Sequence, residues 1–140
     1  MDVSPIIARL QAQATGFVVI AGAADLDAAI DSSPTPPAAY VIPLAEQATA
    51  SDITPVVSQR VVSAFGIVIV VANVRDVAGA AAAADLVSRR AAVRTALLGW
   101  VPDAATGEPI EFGAGRLLQF RDARLWWTDE YRLITYVRSA

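Results

Sequence analysis

The hydrophobic residues of this chain are concentrated in one long run, residues 56–75, where they fill both alternating sets of positions. An extended backbone points alternate side chains to opposite faces, so a strand that is apolar on both faces is expected to be buried on both. The run is far longer than a usual strand of about six residues, and we expect it to bend or break at Gly66. One face carries Val57, Val61, Phe65, Ile67, Ile69 and Val71, and the other carries Val62, Ala64, Val68, Val70, Ala72 and Val74.

The two halves of this run differ in polarity. Ser58, Gln59, Arg60 and Ser63 give the first half a mixed character, whereas residues 65–74 are apolar on both faces. We therefore expect the second half to form the core of a sheet. The first half is expected to contact solvent or another subunit, because an uncovered apolar strand would promote aggregation.

Helical spacing appears in three other segments. Ser4 is expected to cap a first helix that ends before Gly16, and residues 24–30 are expected to form a short second helix. A longer helix is predicted over residues 80–98, with an apolar stripe and a flanking set of arginines on its solvent side, their stems lying on apolar surface. Alternatively, the arginines form a small phosphate-binding patch. The stripe is Leu86, Val93, Leu97 and Trp100, and the arginines are Arg89, Arg90 and Arg94.

The remaining apolar segments are predicted to be strands and turns. The strands are residues 17–21, 39–44, 109–112, 116–121 and 124–138, and Pro43 is expected to lie at an edge or a strand end. Residues 46–54 are predicted to be a surface loop. Turns are expected at residues 73–79 and 121–123, and Gly113 to Gly115 is expected to be a turn or a bulge.

This order of elements predicts an α+β fold, a mostly antiparallel sheet with one or two helices packed on one face. The strict strand–helix alternation of a doubly wound fold is absent. A length of 140 residues fits one domain, residues 1–140.

Composition adds a reason to expect subunit contacts. Hydrophobic residues make up 55% of the chain and charged residues 18%, against about 45–50% and about 25% in typical globular proteins. Subunit contacts often cover such a surplus. The net charge of −3 gives no basic signature for nucleic-acid binding. The central run is too short for a membrane span, and no signal-peptide pattern begins the chain, so we expect a soluble protein.

The chemistry available to the chain is narrow. Without His, Cys or Lys, it cannot use a Ser-His-Asp or Cys-His nucleophile, an imidazole metal site or a Schiff base. Asp129 and Glu130 are adjacent, but strand neighbours point to opposite faces and do not act together on one bond. Asp25, Asp27 and Asp31 are expected to be a solvated face, since they lack a cation-binding loop. We therefore predict a protein that is not an enzyme and has no cofactor or metal, with a small hydrolase as an alternative.

Trp126 and Trp127 are the conspicuous aromatic pair. On a strand, one ring is expected in the core and the other partly covered. Alternatively, one ring anchors an interface, where Trp is enriched, or offers a stacking platform to a small ligand. The candidate interface residues are Val57, Gln59, Arg60, Val61, Trp126 and Trp127.

Several stretches together resemble the phage tail terminator family, the lambda-type minor tail proteins that cap a finished tail tube. Their order and spacing carry the resemblance, since none is a catalytic signature. The stretches are residues 3–11 (VSPIIARLQ), 38–46 (AAYVIPLAE), 59–75 (QRVVSAFGIVIVVANVR), 90–100 (RAAVRTALLGW), 109–112 (PIEF) and 125–138 (LWWTDEYRLITYVR).

The resemblance implies an α+β subunit that assembles into a hexameric ring on the last ring of tail-tube protein. Such a ring stops tube polymerisation and presents a surface to the head-tail connector at the neck, with DNA passing through its lumen without specific binding. It would belong to the tail-neck region of the virion and be assembled in the host cytoplasm. The alternatives are another neck or tail-completion protein acting between connector and tail, or a small-ligand binding module.

Overall fold

The computed structural model describes residues 1–72 and 80–139. The predicted turn at 73–79 and the end of the predicted central strand therefore lie outside the described residues. The helices are α1 (Ser4–Gln13), α2 (Leu26–Asp31) and α3 (Ala80–Leu97), and the strands are β1 (Val19–Gly22), β2 (Ala38–Ala48), β3 (Ser58–Ala72), β4 (Glu111–Arg121) and β5 (Arg124–Arg138).

The described strands form one five-stranded sheet in the order β1-β2-β3-β5-β4. Only β1 and β2 pair in parallel, and the other neighbours are antiparallel. The apolar strand β3 is central, between β2 and β5, which matches its apolar residues on both faces. The predicted α+β fold is confirmed.

Helices α1 and α3 cover one face of this sheet, which we call the two-helix face. The predicted stripe of α3 is confirmed, since Leu86, Val93 and Leu97 are buried there and Trp100 packs beside them. The cluster that they join consists of Ile6 and Leu10 from α1, Ala39 and Val41 from β2, and Phe65, Ile67, Ile69 and Val71 from β3.

The short helix α2 covers the opposite face, which we call the α2 face, and so adds a layer that the sequence did not predict. Ala29 of α2 is fully buried, and Val68 and Val70 of β3 lie beneath this helix together with Trp126. This cover reaches only the second half of β3. Val62, on the same face, is half-buried and belongs to neither core cluster.

Strand β3 runs through Gly66 without a break, so the expected interruption there is wrong. Every residue of β3 pairs in register with β5, from Ser58 opposite Arg138 to Ala72 opposite Arg124. The irregularity lies in the neighbour instead, because β2 shifts register between Pro43 and Ala45. A bulge in β2 thus accommodates the strain that we assigned to the glycine of β3.

Other boundaries also differ from the predicted ones. Strand β2 continues to Ala48, so the predicted loop begins later than residue 46. The two strands predicted between residues 109 and 121 form one strand, β4, with register shifts between Phe112 and Ala114 and between Leu117 and Gln119. The glycine segment at 113–115 is therefore a bulge and not a turn.

The predicted cap of the first helix is also wrong. Ser4 is a residue of α1, and its side chain caps nothing. The Ser4 N–H instead donates to the carboxylate of Asp2 at 2.9 Å, and this hydrogen bond lowers the pKa of Asp2. Asp2 thus accepts a hydrogen bond from one of the backbone N–H groups that have no partner within the helix at its N-terminus.

Candidate interaction surfaces

The first candidate surface is the end of the sheet where β3 begins. Val57 and Arg60 are exposed there, and Gln59 is half-buried. The Val57 N–H donates to Ser139 Oγ at 2.8 Å, and the Ser139 N–H donates back to the Val57 carbonyl at 2.9 Å. Gln59 Nε2 donates to the Thr49 carbonyl at 3.0 Å. These bonds hold the 49–57 loop to the strand ends, so its exposed side chains have a fixed position.

The same end of the sheet exposes a group of apolar side chains, which we call the end patch. Val57 lies beside the end of β5, which carries Val137, and Ile53 and Val56 belong to the loop that leads into Val57. Adjacent exposed apolar residues are typical of interaction surfaces, whereas single ones are common everywhere. Of the residues in this patch, the sequence analysis predicted only Val57, although residues 49–57 contain other β-branched side chains. The end patch is Ile53 (49% exposed), Val56 (45%), Val57 (42%) and Val137 (55%).

The other predicted interface residues lie elsewhere or point inward. Val61 is buried within the chain itself. Trp126 and Trp127 pair with Val70 and Ile69, at the far end of β3 from Val57. The structure therefore brings Val57, Gln59 and Arg60 together and does not bring the tryptophans to them.

The tryptophan pair fits the prediction of one core ring and one partly covered ring. Trp126 is buried under α2, and Trp127 is half-buried on the two-helix face. The Arg90 guanidinium lies over the Trp127 ring at 4.6 Å from its centroid. A stacking platform for a ligand requires an open ring face, and this contact occupies one face of Trp127.

Arg90 also forms the strongest polar contact of the two-helix face. Its Nε and Nη2 donate to the two carboxylate oxygens of Asp129, each at 2.9 Å, and Trp127 Nε1 donates to Asp129 Oδ1 at 2.9 Å. Asp129 is fully buried. The side-chain hydrogen bonds to Asp129 raise the pKa of Arg90 above its ordinary value, and the pair joins α3 to the sheet.

The predicted solvent side of α3 is confirmed only in part, because its three arginines are half-buried and their guanidinium groups contact other elements. Arg89 lies over the ring of Phe17 and donates to the Gly16 carbonyl at 2.8 Å, and Arg94 lies over the ring of Phe112. Guanidinium groups that rest on aromatic faces and pair with buried groups are not a free phosphate-binding patch. Periodicity placed these residues beside the apolar stripe but could not show that their partners lie on other elements.

Two neighbours of this ion pair show how closely it is packed. A Cβ atom at Gly115 of β4 would lie 2.5 Å from Asp129 Oδ1 and 2.9 Å from Arg90 Nη2, so only glycine fits at that position. Tyr131 is fully buried and stacks on Phe65 with ring centroids 5.8 Å apart. Burial, with the nearby charge of Asp129, raises the pKa of the Tyr131 hydroxyl far above its ordinary value, although Arg94 and Arg90 oppose the shift.

The α2 face carries the second candidate surface, a cleft of about 250 Å³ between α2, β2 and β4. Its floor is apolar, and the rim carries the charged residues Asp25, Arg116 and Glu130. The bulges of β2 and β4 open it, because they displace Leu44 and Leu118 from the regular ladder. The lining residues are Asp25, Leu26, Ile42, Pro43, Leu44, Val68, Ala114, Gly115, Arg116, Leu118, Thr128 and Glu130.

The acidic residues do not assemble a catalytic or metal centre. Asp129 lies on the two-helix face with both oxygens engaged, whereas Glu130 lines the cleft on the other face, as the alternation predicted. In the described part of the chain, no group of three or more His, Cys, Asp or Glu side chains converges as metal ligands would. Asp25 caps α2 by accepting from the Ala28 N–H at 2.7 Å, and Asp27 and Asp31 are exposed.

Within residues 1–72 and 80–139, no helix is long and apolar enough to cross a bilayer. A comparison with curated proteins found no match. The family model described as phage tail terminator protein matches residues 1–139, which takes in every helix and strand described above. The chain therefore belongs to the phage tail terminator family.

Proposed function

We propose that this chain caps the completed tail tube as a ring, ends tube polymerisation and forms the interface to the neck of the head. Membership of the family makes it a structural protein of a bacteriophage tail and a component of the virion. The observation that carries the finer proposal is the match over residues 1–139, because it spans both helical layers and the whole sheet.

The ring form is supported by the exposed apolar surface. Head-to-tail contacts in a closed ring give every subunit two different interfaces, and these would remove the end patch and the α2-face cleft from water. We expect six subunits, the number that the family resemblance implies. The tail-tube protein would meet one side of the ring and the head-tail connector the other.

The charge distribution suits a passage for DNA without specific binding. The net charge is −3, and several arginines are engaged within the subunit, such as Arg90 with Asp129 and Arg94 over Phe112. Guanidinium groups that are committed in this way attract phosphate weakly. We place the protein at the tail-neck region of the virion, with assembly in the host cytoplasm.

A tube-length assay tests the proposal. The chain is added to polymerising tail-tube protein of the same phage, and tube lengths and ends are recorded by electron microscopy. Capped ends and shorter tubes are expected, together with a closed ring by native mass spectrometry. Tubes of unchanged length and bare ends would refute the terminator function, and binding to the connector in that case would favour another neck or tail-completion protein.

A matched pair of variants sharpens this assay. Val57→Asp places a charge in the end patch, whereas Val87→Asp places one at an exposed position of α3. Both are expected to fold, because both side chains already contact water. Val57→Asp is expected to lose ring formation and tube capping, and Val87→Asp is expected to retain both.

A further inference from the structure

The end patch and the α2-face cleft are different surfaces of one chain: the first is a set of exposed apolar side chains, and the second is a hollow with an apolar lining. We infer that the end patch of one subunit docks in the α2-face cleft of the next. This inference rests on the proposed ring and specifies the contact that builds it. The occupant is thus a second copy of this chain.

A chain cannot fill its own cleft with its own end patch. Val68, which lines the cleft, lies eleven residues after Val57 of the end patch, which at about 3.3 Å per residue is roughly 36 Å along the extended chain. The 49–57 loop is also held at its own end of the sheet, where Ser51 Oγ accepts from the Ser58 N–H at 3.0 Å. The contact must therefore join two copies, and because its two sides differ it is heterologous.

The two surfaces match in chemistry. The solvent-accessible apolar lining of the cleft, Leu26, Leu44 and Leu118, offers the end-patch side chains Ile53 and Val56 an apolar environment. About 250 Å³ is below the size of typical small-molecule pockets, about 300–1,000 Å³, and suits one or two inserted side chains better.

One pair of opposite charges also supports the contact. Asp52 stands beside Ile53 in the loop, and Arg116 stands on the cleft rim. Neither makes an ion pair with the rest of the described residues. The two rim carboxylates are engaged within the subunit, since Asp25 accepts from the Ala28 N–H at 2.7 Å and Glu130 lies 3.8 Å from Arg132. Docking that seats Ile53 in the cleft would bring Asp52 towards Arg116, and this pairing fixes the orientation of the contact.

Disulfide trapping tests the contact directly, because the chain contains no cysteine. One sample carries Ile53→Cys and a second carries Leu44→Cys, at an exposed position on the cleft rim. Linked dimers are expected when the two samples are mixed and oxidised, at least tenfold above either sample alone. A mixture of Ile53→Cys with Val87→Cys, exposed on α3, is the control and is expected to stay unlinked.

The outcomes of the trapping experiment distinguish a failure of this inference from a failure of the proposed function. Dimers of Ile53→Cys with itself in equal yield would mean a symmetric contact and would overturn the inference. A yield no higher than the Val87→Cys control would also overturn it, and so would linkage of Ile53→Cys to tail-tube protein in place of Leu44→Cys. If the unmodified chain still forms a ring and caps tubes, the proposed function survives that result.

A trapped contact without tube capping would support the inference and refute the terminator function. A charge exchange gives a second measurement. Asp52→Arg or Arg116→Asp alone is expected to lower the yield of linked dimers about threefold, as for a partly exposed ion pair. The two changes together are expected to restore the yield, and failure of this rescue would overturn the predicted orientation.

Discussion

The two halves of β3 share one hydrogen-bonded ladder but differ in what covers their side chains. From Phe65 to Val71 every residue is buried, because α1 and α3 cover one face and α2 covers part of the other. Before Phe65, Val62 and Ala64 remain half-buried on the α2 face. Burial of apolar area stabilises a protein by about 25 cal/mol per Å², and this chain uses its own helices for that purpose in only one half of the strand. Apolar content alone does not distinguish surface that is covered within the subunit from surface left for another molecule.

The largest expected effect comes from introducing aspartate at one position in each half of β3. Val70→Asp places a charge in the core below α2 and is expected to unfold the chain, since an unpaired buried charge costs more than about 4 kcal/mol. Val62→Asp, on the same strand and the same face, is expected to cost about 1 kcal/mol. Circular dichroism and urea unfolding measure both. Equal losses would show that the two halves are covered alike.

The next effect compares a buried ion pair with an exposed one. Arg90→Met leaves the buried carboxylate of Asp129 without its partner and is expected to lower the free energy of unfolding by about 3 kcal/mol. Arg132→Met, which breaks the exposed 3.8 Å pair with Glu130, is expected to stay within about 0.5 kcal/mol. Urea titrations of both variants test the difference. A small loss in Arg90→Met would mean that the buried pair does not hold α3 to the sheet.

A third effect tests how tightly that pair is packed. Gly115→Ala would place a Cβ 2.5 Å from Asp129 Oδ1, and such overpacking is expected to cost about 2 kcal/mol. Gly113→Ala is the control, because its Cβ would lie 3.2 Å from the nearest atom and is expected to cost less. Thermal unfolding of the two variants provides the measurement. If both cost the same, the close approach at Gly115 is not what excludes a side chain there.

The smallest effect at neutral pH concerns the hydroxyl of Tyr131, which is buried without a hydrogen-bond partner among the described residues. Tyr131→Phe keeps the stacked contact with Phe65 and is expected to change stability by less than about 1 kcal/mol. Tyr136→Phe, the control, removes an exposed hydrogen bond to Glu108 and is expected to cost about 0.5 kcal/mol. Equilibrium unfolding at pH 7 compares them.

Alkaline pH enlarges the effect of Tyr131. Its pKa is raised in the folded chain, whereas the unfolded chain loses this proton near pH 10. The stability from this group is therefore fully present below about pH 10 and is lost as pH rises towards the folded pKa, by up to about 1.4 kcal/mol per pH unit. Tyr131→Phe is expected to show a shallower alkaline loss than the unchanged chain. Identical slopes would contradict the raised pKa.

The sequence predicted most of the elements but few of their irregularities. Periodicity predicted the helix over 80–97, the final strand and the central strand, because a long regular pattern of apolar residues fits one type of secondary structure. The bulge at Pro43 and the continuity of β4 depend on pairing with distant strands, which no local pattern contains. Gly66 was assigned a break because glycine weakens an isolated strand, but full pairing on both sides keeps β3 continuous.

The candidate surfaces were predicted less well, for a similar reason. The mixed polarity of Val57, Gln59 and Arg60 is a local property, and the structure leaves these residues exposed or half-buried where β3 begins; their role as interface residues stays a prediction. Val61 and Trp126 are buried by elements far away in sequence, and the cleft exists only where two bulged strands face α2. The apolar surplus and the mixed first half of the central strand predicted contact with another subunit, and only the family resemblance indicated which assembly that would be.

The bulges have a consequence for how copies of this chain can meet. Register shifts occur in the edge strand β4 and in β2 beyond Val41, where β1 no longer pairs with it, and none occurs in the ladder between β3 and β5. A strand added to β2 beyond β1 would find no N–H at Pro43 and would lose its register one residue later. The sheet therefore resists growing from one molecule into the next as a fibre does. In the proposed ring, contact between copies would therefore fall to side-chain surfaces and not to a shared backbone ladder.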